Sequence, residues 1–185
     1  DPARCLSYPV LAGTIIALSA LRSGSRVKVV LSGEPGRSLA TEGFVRDEAT
    51  VLRTLTSYLG TGYAFGIHRL DETFGAGDQR RTSRPVHILI VSDHDMFSML
   101  NETGSGRLGW DVVAEALQRC QGGGTFVLQI SGSGVTHPSV ERLRQAGWNV
   151  SLVNTLEELV DFARQFSRQN YETPRSPSAA KRGPR

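Results

Sequence analysis

Between Ser7 and Arg22 the apolar residues lie almost all the way round a helix. A helix with one wet face carries an apolar stripe, whereas one that is apolar on most sides must be buried on most sides. In an α/β chain such a helix packs on a sheet and is fed by a strand. This chain opens on the helix itself, so the feeding strand is expected ahead of Asp1. The first residue is not Met, and the chain is expected to be a piece of something longer. The apolar core of the helix, Val10–Leu21, holds Gly13, Thr14 and Ser19 and is shorter than the roughly 20 residues that span a bilayer. No basic stretch precedes it, as one would in a secretory leader. The expectation is therefore no membrane segment and a cytoplasmic location.

The remaining chain alternates short strands with helices. Arg26–Leu31 (RVKVVL) is β-branched and suits a strand, followed by a turn at 32–37 and a weaker strand at Ser38–Val45. A connection this short makes the second strand antiparallel to the first. Asp47 can cap a helix with Val51, Leu52, Leu55, Tyr58 and Leu59 on its apolar face, closing at Gly60. A glycine-rich connection at 60–66 leads to a short amphipathic stretch ending at Phe74, then to a polar loop at 75–84. Val86–Val91 (VHILIV) is an unbroken apolar run, the pattern of a strand covered on both faces in a parallel sheet. A helix at Trp110–Cys120, ended by Gly122–Gly124, precedes a second buried strand at Thr125–Ile130. Pro138 opens the next helix and Gly147 stops it. A last strand follows at Trp148–Val153, then a helix headed by Thr155 and Glu158 at capping-box spacing. The expected fold class is α/β over residues 1–171, a doubly wound, mostly parallel sheet with one antiparallel edge strand. From Glu172 to Arg185, Pro, Ser, Arg and Ala dominate, and disorder is expected.

Charge narrows the partners. The formal net charge of +3 is accounted for by residues 172–185, where Arg175, Lys181, Arg182 and Arg185 stand against Glu172. The body is neutral, so no specific nucleic-acid binding is expected. With 185 residues, 39% of them apolar, one domain can bury a core without a disulfide or a metal. Cys5 and Cys120 each fall in an apolar helical pattern without C-x-x-C spacing, which reads as two buried, reduced thiols. Whether they pair is not decided by the sequence.

In an open α/β sheet, ligands collect at the carboxyl ends of the strands. Three strands here end alike, at Ser32-Gly33, at Ser92-Asp93-His94-Asp95 and at Ser131-Gly132-Ser133-Gly134, and the glycine loop at Thr61 should reach the same rim. Asp93 and Asp95 suit a hard cation, which wants carboxylates, hydroxyls and water. The same residue types are also the ordinary turn formers after any strand. His94 is read as a solvated turn residue before a ligand or base, and His87 as packed or capping. His68 falls in a short helix, and His137 supports a helix start. Ser92 is too close to His94 for a triad, and no G-x-S-x-G elbow is present. The loop at 131–134 lacks the Lys and spacing of a phosphate-binding P-loop.

The order of these segments resembles a known family. LSYPVLAGTIIALSALRSGSRVKVVLSG, TEGFVRDEATVLRTL, GTGYAFGIHRL, HILIVSDHD and SGVTHPSVERLRQAGWNVSLVNTLEELVDFARQF together resemble the von Willebrand factor A-type (integrin-I-like) domain over roughly residues 1–170. The likeness is to the bacterial branch that often works beside MoxR-type ATPases. It implies a Rossmann-like architecture, a role in protein–protein interaction, and a cation site built from an Asp-x-Ser-x-Ser loop, a Thr and a later Asp. The first motif has no counterpart here and would precede Asp1. Tyr63 stands where the Thr is expected, with Thr61 two residues early, and Asp93 fits the third motif. The implied metal residues are therefore Asp93 and Thr61, with Ser32, Asp95 and Ser131 completing a partner-facing rim. Mg²⁺ or Mn²⁺ is expected only in a longer protein, because a single retained carboxylate plus water holds Mg²⁺ weakly. The strand missing ahead of Asp1 would be the central one, between those at 26–31 and 86–91. The resulting expectation is a binding module and not an enzyme, partnered by a protein such as a MoxR-type ATPase. The alternative is a small-molecule or nucleotide-binding α/β domain, a hydrolase among them, using the same rim. A third reading is a scaffold whose metal site has decayed.

Overall fold

The apolar run at 86–91 forms the first strand of an open sheet. The computed structural model describes residues 8–31, 39–57, 66–75, 84–101, 106–130 and 137–171. Within them, β1 (Val86–Asp93), β2 (Gln121–Gln129) and β3 (Asn149–Val153) lie in the order β1-β2-β3, and both pairings are parallel. Seven helices surround the sheet: α1 (Tyr8–Arg22), α2 (Glu48–Thr56), α3 (Ile67–Phe74), α4 (Met96–Met99), α5 (Gly109–Cys120), α6 (Pro138–Gln145) and α7 (Leu156–Tyr171). Residues 1–7, which hold Cys5, and the tail 172–185 lie outside the described residues.

Strand periodicity sorts the side chains between two helical layers. Ile88, Ile90, Phe126 and Leu128 belong to one cluster with Phe74 of α3, Val113 and Ala116 of α5 and Leu143 of α6. Leu89, Val91, Val127 and Val153 face the other way, onto Ala12 and Ile16 of α1 and Leu159, Ala163 and Phe166 of α7. Phe126, Val127 and Leu128 are fully buried, each contributing on the order of 2 kcal/mol by leaving water. A further cluster joins Val10 and Ala17 of α1 to Val29, Leu31 and to Val51 and Leu55 of α2. Two different faces of α1 are thus consumed, which is why its sequence is apolar nearly all round.

Local signals acted largely as expected. The Asp47 carboxylate accepts the Thr50 N–H at 2.8 Å and opens α2. Thr155 Oγ1 accepts the Glu158 N–H while Glu158 accepts that of Asn154, a reciprocal cap on α7. The start of β2 differs. Gly122–Gly124, expected to end a helix, lie within the strand, which begins four residues ahead of Thr125. Gln121 takes a left-handed φ of 61°, turning the chain from helix to strand with no intervening loop. A side chain at Gly124 would run into the indole of Trp148, which packs edge-on against Phe126 at 4.5 Å.

The segments at 26–31 and 39–45 are antiparallel to each other, but no described bridge joins them to the sheet, and the three described strands are all parallel. Leu31 N–H reaches Leu39 and Thr41 N–H reaches Val29, whereas Val27 exchanges both bonds with Val45. Two extra residues have therefore entered the second strand, and Glu42–Phe44 bend out of line. The buried Thr41 hydroxyl repairs the gap, accepting the Val29 N–H at 3.2 Å and donating to the Gly43 carbonyl at 2.8 Å. Among the described residues, no strand pairs with the second edge of β1.

Candidate functional site

The carboxyl ends of the three strands finish level with one another. Asp93 is the register partner of Gln129, and Gln129 that of Val153. One residue further on, the Ile130 N–H donates to the Val153 carbonyl. The three strand ends therefore form a common rim.

At β1 the rim is formed by Asp93, His94 and Asp95. One Asp93 carboxylate oxygen accepts the Asp95 N–H at 3.1 Å, a side-chain turn that reverses the chain into α4. His94 Nε2 lies 3.5 Å from Asp95 Oδ1, with both side chains about half exposed. Solvent screens such a pair, which contributes between nothing and about 1 kcal/mol. Asp95 precedes α4 but makes no side-chain cap, leaving its carboxylate to the solvent and His94. Met96 and Phe97 fix the turn from below, being 1% and 4% exposed. Two exposed carboxylates are thus carried on a buried base.

The rim extends to β2 through a contact that sequence reasoning missed. His137 caps α6, its Nδ1 accepting the Ser139 N–H at 3.2 Å, and its ring stacks on Phe97 at 4.7 Å and 14°. Accepting through Nδ1 leaves the proton of a neutral ring on Nε2. The sequence marks His137 as a helix start, but nothing local signals that the ring lies flat on a phenylalanine forty residues earlier.

Ser32, Thr61, Tyr63 and Ser131 lie outside the described residues, as does the His68 side chain. His87 sits near the opposite end of β1. Its two ring nitrogens lie 2.9 Å from the Gly122 carbonyl and 3.0 Å from the Thr125 hydroxyl, and Phe166 packs against its ring, so it ties β1 to β2. Among the described residues, no three His, Cys, Asp or Glu side chains gather to hold a metal ion. Cys120 is a buried thiol donating to the Leu117 carbonyl at 3.2 Å.

Two further features lie off the rim. Arg107 binds Asp71 of α3 and Glu115 of α5, and Arg119 completes the chain of charges by reaching Glu115 at 2.6 Å. The hydrogen bond from Arg107 is the main reason that the Glu115 carboxyl titrates below its usual range. This network clamps α3 to α5. A shallow cavity of about 150 Å³ lies between β3 and α7, lined by Ser151, Phe162, Gln165, Phe166 and Gln169, without a titratable group in its lining. Among the described residues, no helix is long and apolar enough to cross a membrane. No protein-family model, curated protein or solved structure matches the chain.

Proposed function

We propose that this chain is a protein-interaction module of the von Willebrand A kind and not an enzyme, presenting the carboxyl rim of its sheet to a protein partner in the cytoplasm. The observation that carries this reading is the Asp93–Asp95 turn. Its carboxylates are exposed and held at a strand end, while the residues beneath them are buried. A rigid base with free charges favours recognition from outside, because little side-chain ordering is left for the partner to impose. A basic surface is the complement that such a turn selects. The resemblance described above suggests a MoxR-type ATPase as the class of partner. Mg²⁺ or Mn²⁺ would sit at Asp93 only with donors beyond the described residues, Thr61 being the expected contributor within this chain.

The test is binding of a MoxR-type ATPase to the wild-type chain and to an Asp93→Asn, Asp95→Asn double variant. Both substitutions are exposed and should leave the thermal midpoint unchanged. Affinity is expected to fall by about tenfold or more, and more steeply at low salt, as for charge pairs at an interface. Equal affinity for the two proteins would sink the rim as the contact. A midpoint raised by ATP or a phosphorylated metabolite, but by no protein, would move the function to small-molecule binding. Titration with Mg²⁺ or Mn²⁺ addresses the cation separately, and a shift that survives Asp93→Ala would exclude this site.

A further inference from the structure

We infer that His137 is a positioning residue for the Asp93–Asp95 turn, holding it in place from the head of α6 through the ring of Phe97. This role rests on the reading of the rim as the binding surface, and it names the residue that keeps that surface in shape. The turn has little to hold itself with. It leads into α4, whose four residues are far fewer than the roughly 12 that a helix needs to persist alone. Asp95 gives α4 no side-chain cap, and the bond from its N–H to Asp93 closes the turn only on itself. The placement of the two carboxylates therefore comes from the packing beneath them.

That packing has a support at each end of α4. At the far end the Leu100 carbonyl accepts the Trp110 N–H at 3.1 Å, and Asn101 Oδ1 accepts the indole N–H at 2.9 Å. The exit of α4 is thus tied to the start of α5. At the near end the Phe97 N–H donates to the His94 carbonyl at 3.1 Å, and the Ser98 hydroxyl donates to that of Asp95 at 2.7 Å. Phe97 is therefore bonded to the residue between the two carboxylates, and a shift of one carries the other. Its ring, 4% exposed, is met by the His137 imidazole at 4.7 Å and 14°.

His137 suits this task because it is itself fixed. Its Nδ1 accepts the Ser139 N–H at 3.2 Å and its carbonyl accepts the Val140 N–H at 2.9 Å, so the cap sets the plane of the ring. Pro138 follows at the first helical position, where its locked dihedral leaves the junction few alternatives. Val140 and Leu143, both fully buried, root α6 in the core. Arg142 lies over the Trp110 ring at 4.1 Å, which joins α6 to the support at the far end of α4 as well. The cap orients the imidazole, and the stack passes that orientation to the turn.

The test divides the ring from the cap by three substitutions in the 185-residue protein. His137→Ala removes both, His137→Asn keeps a capping side chain without a ring, and His137→Phe keeps a ring without a cap. Amide exchange at Phe97 and Ser98, read against Phe126–Leu128 in the doubly paired β2, reports on the turn with no partner present. His137→Ala and His137→Asn should each speed it about threefold or more, and His137→Phe should restore it to within about twofold of wild type. Affinity for the MoxR-type ATPase should fall and recover in the same order. Rescue of the exchange by asparagine and not by phenylalanine would reduce His137 to a helix cap and overturn the proposal. Exchange unchanged in His137→Ala would overturn it too. The expected order of exchange, with no ATPase bound by the wild-type chain, would uphold the positioning of the turn and sink the rim as the contact.

Discussion

β1 and β3 are both edges of the same three-stranded sheet, and they are built from different kinds of residue. β3 runs for five residues, of which Val153 alone is buried, and its Leu152 is 41% exposed. β1 runs for eight, with Ile88 and Ile90 7% and 8% exposed and Leu89 and Val91 packed beneath α1. One edge is written for solvent and the other for the interior of a sheet. Burial of side chains and pairing of backbone are separate requirements, and within the described residues the backbone of β1 is paired on one side, with β2.

The largest expected effect is at β1. Ile90→Ala should cost about 2–5 kcal/mol of unfolding free energy, the range for emptying a packed aliphatic site. Denaturant unfolding measures it, and a loss below about 0.5 kcal/mol would place Ile90 at the surface. Next comes the antiparallel pair beside β1. Thr41→Val leaves the Val29 N–H and the Gly43 carbonyl without their partner and should cost about 1–3 kcal/mol. A neutral result would mean that the irregularity at 42–44 is held by something other than this hydroxyl. On the β3 side, stability is expected to come from the helix that follows and not from the edge. Thr155→Ala removes the cap of α7 and should cost about 1 kcal/mol.

A smaller effect depends on pH. Arg107 holds the Glu115 carboxyl below its usual range, so the carboxylate stabilises the folded state above the ordinary glutamate pKa. That contribution is lost as pH falls through the lowered folded value, where the folded state must take up the proton. Stability should therefore decline with acid across that window in the wild type, and Arg107→Gln should decline less steeply. Parallel curves would show that the clamp between α3 and α5 is not electrostatic. The smallest expected change is Leu152→Lys on the solvent edge, within about 0.5 kcal/mol of wild type. A loss as large as that at Ile90 would erase the distinction between the two edges.

Most of the parallel sheet was legible in the sequence because its signals are local. VHILIV, TFVLQI and the capping residues Asp47, Pro138 and Thr155 each announce an element without reference to a neighbour. The start of β2 was not legible, because glycines that ordinarily stop a helix are needed there for packing. Gly122 lies against the Val86 backbone and Gly124 beneath the Trp148 indole. The irregularity between the segments at 26–31 and 39–45 was equally hidden, since it rests on two extra residues beside Thr41 and not on strand propensity. At the rim, the strand-end position of Asp93 and Asp95 followed from their place after an apolar run. The His137–Phe97 stack did not, as it joins side chains forty residues apart.

Amide hydrogen exchange along β1, compared with β2 in the same chain, tests the open edge most directly. β2 has a partner on each side, so its amides from Thr125 to Leu128 should all be protected. Along β1, residues bonded to β2 should be protected while the alternate ones exchange at least about tenfold faster. Uniform protection from Ile88 to Ser92 would show that the edge is already paired, and would contradict the account.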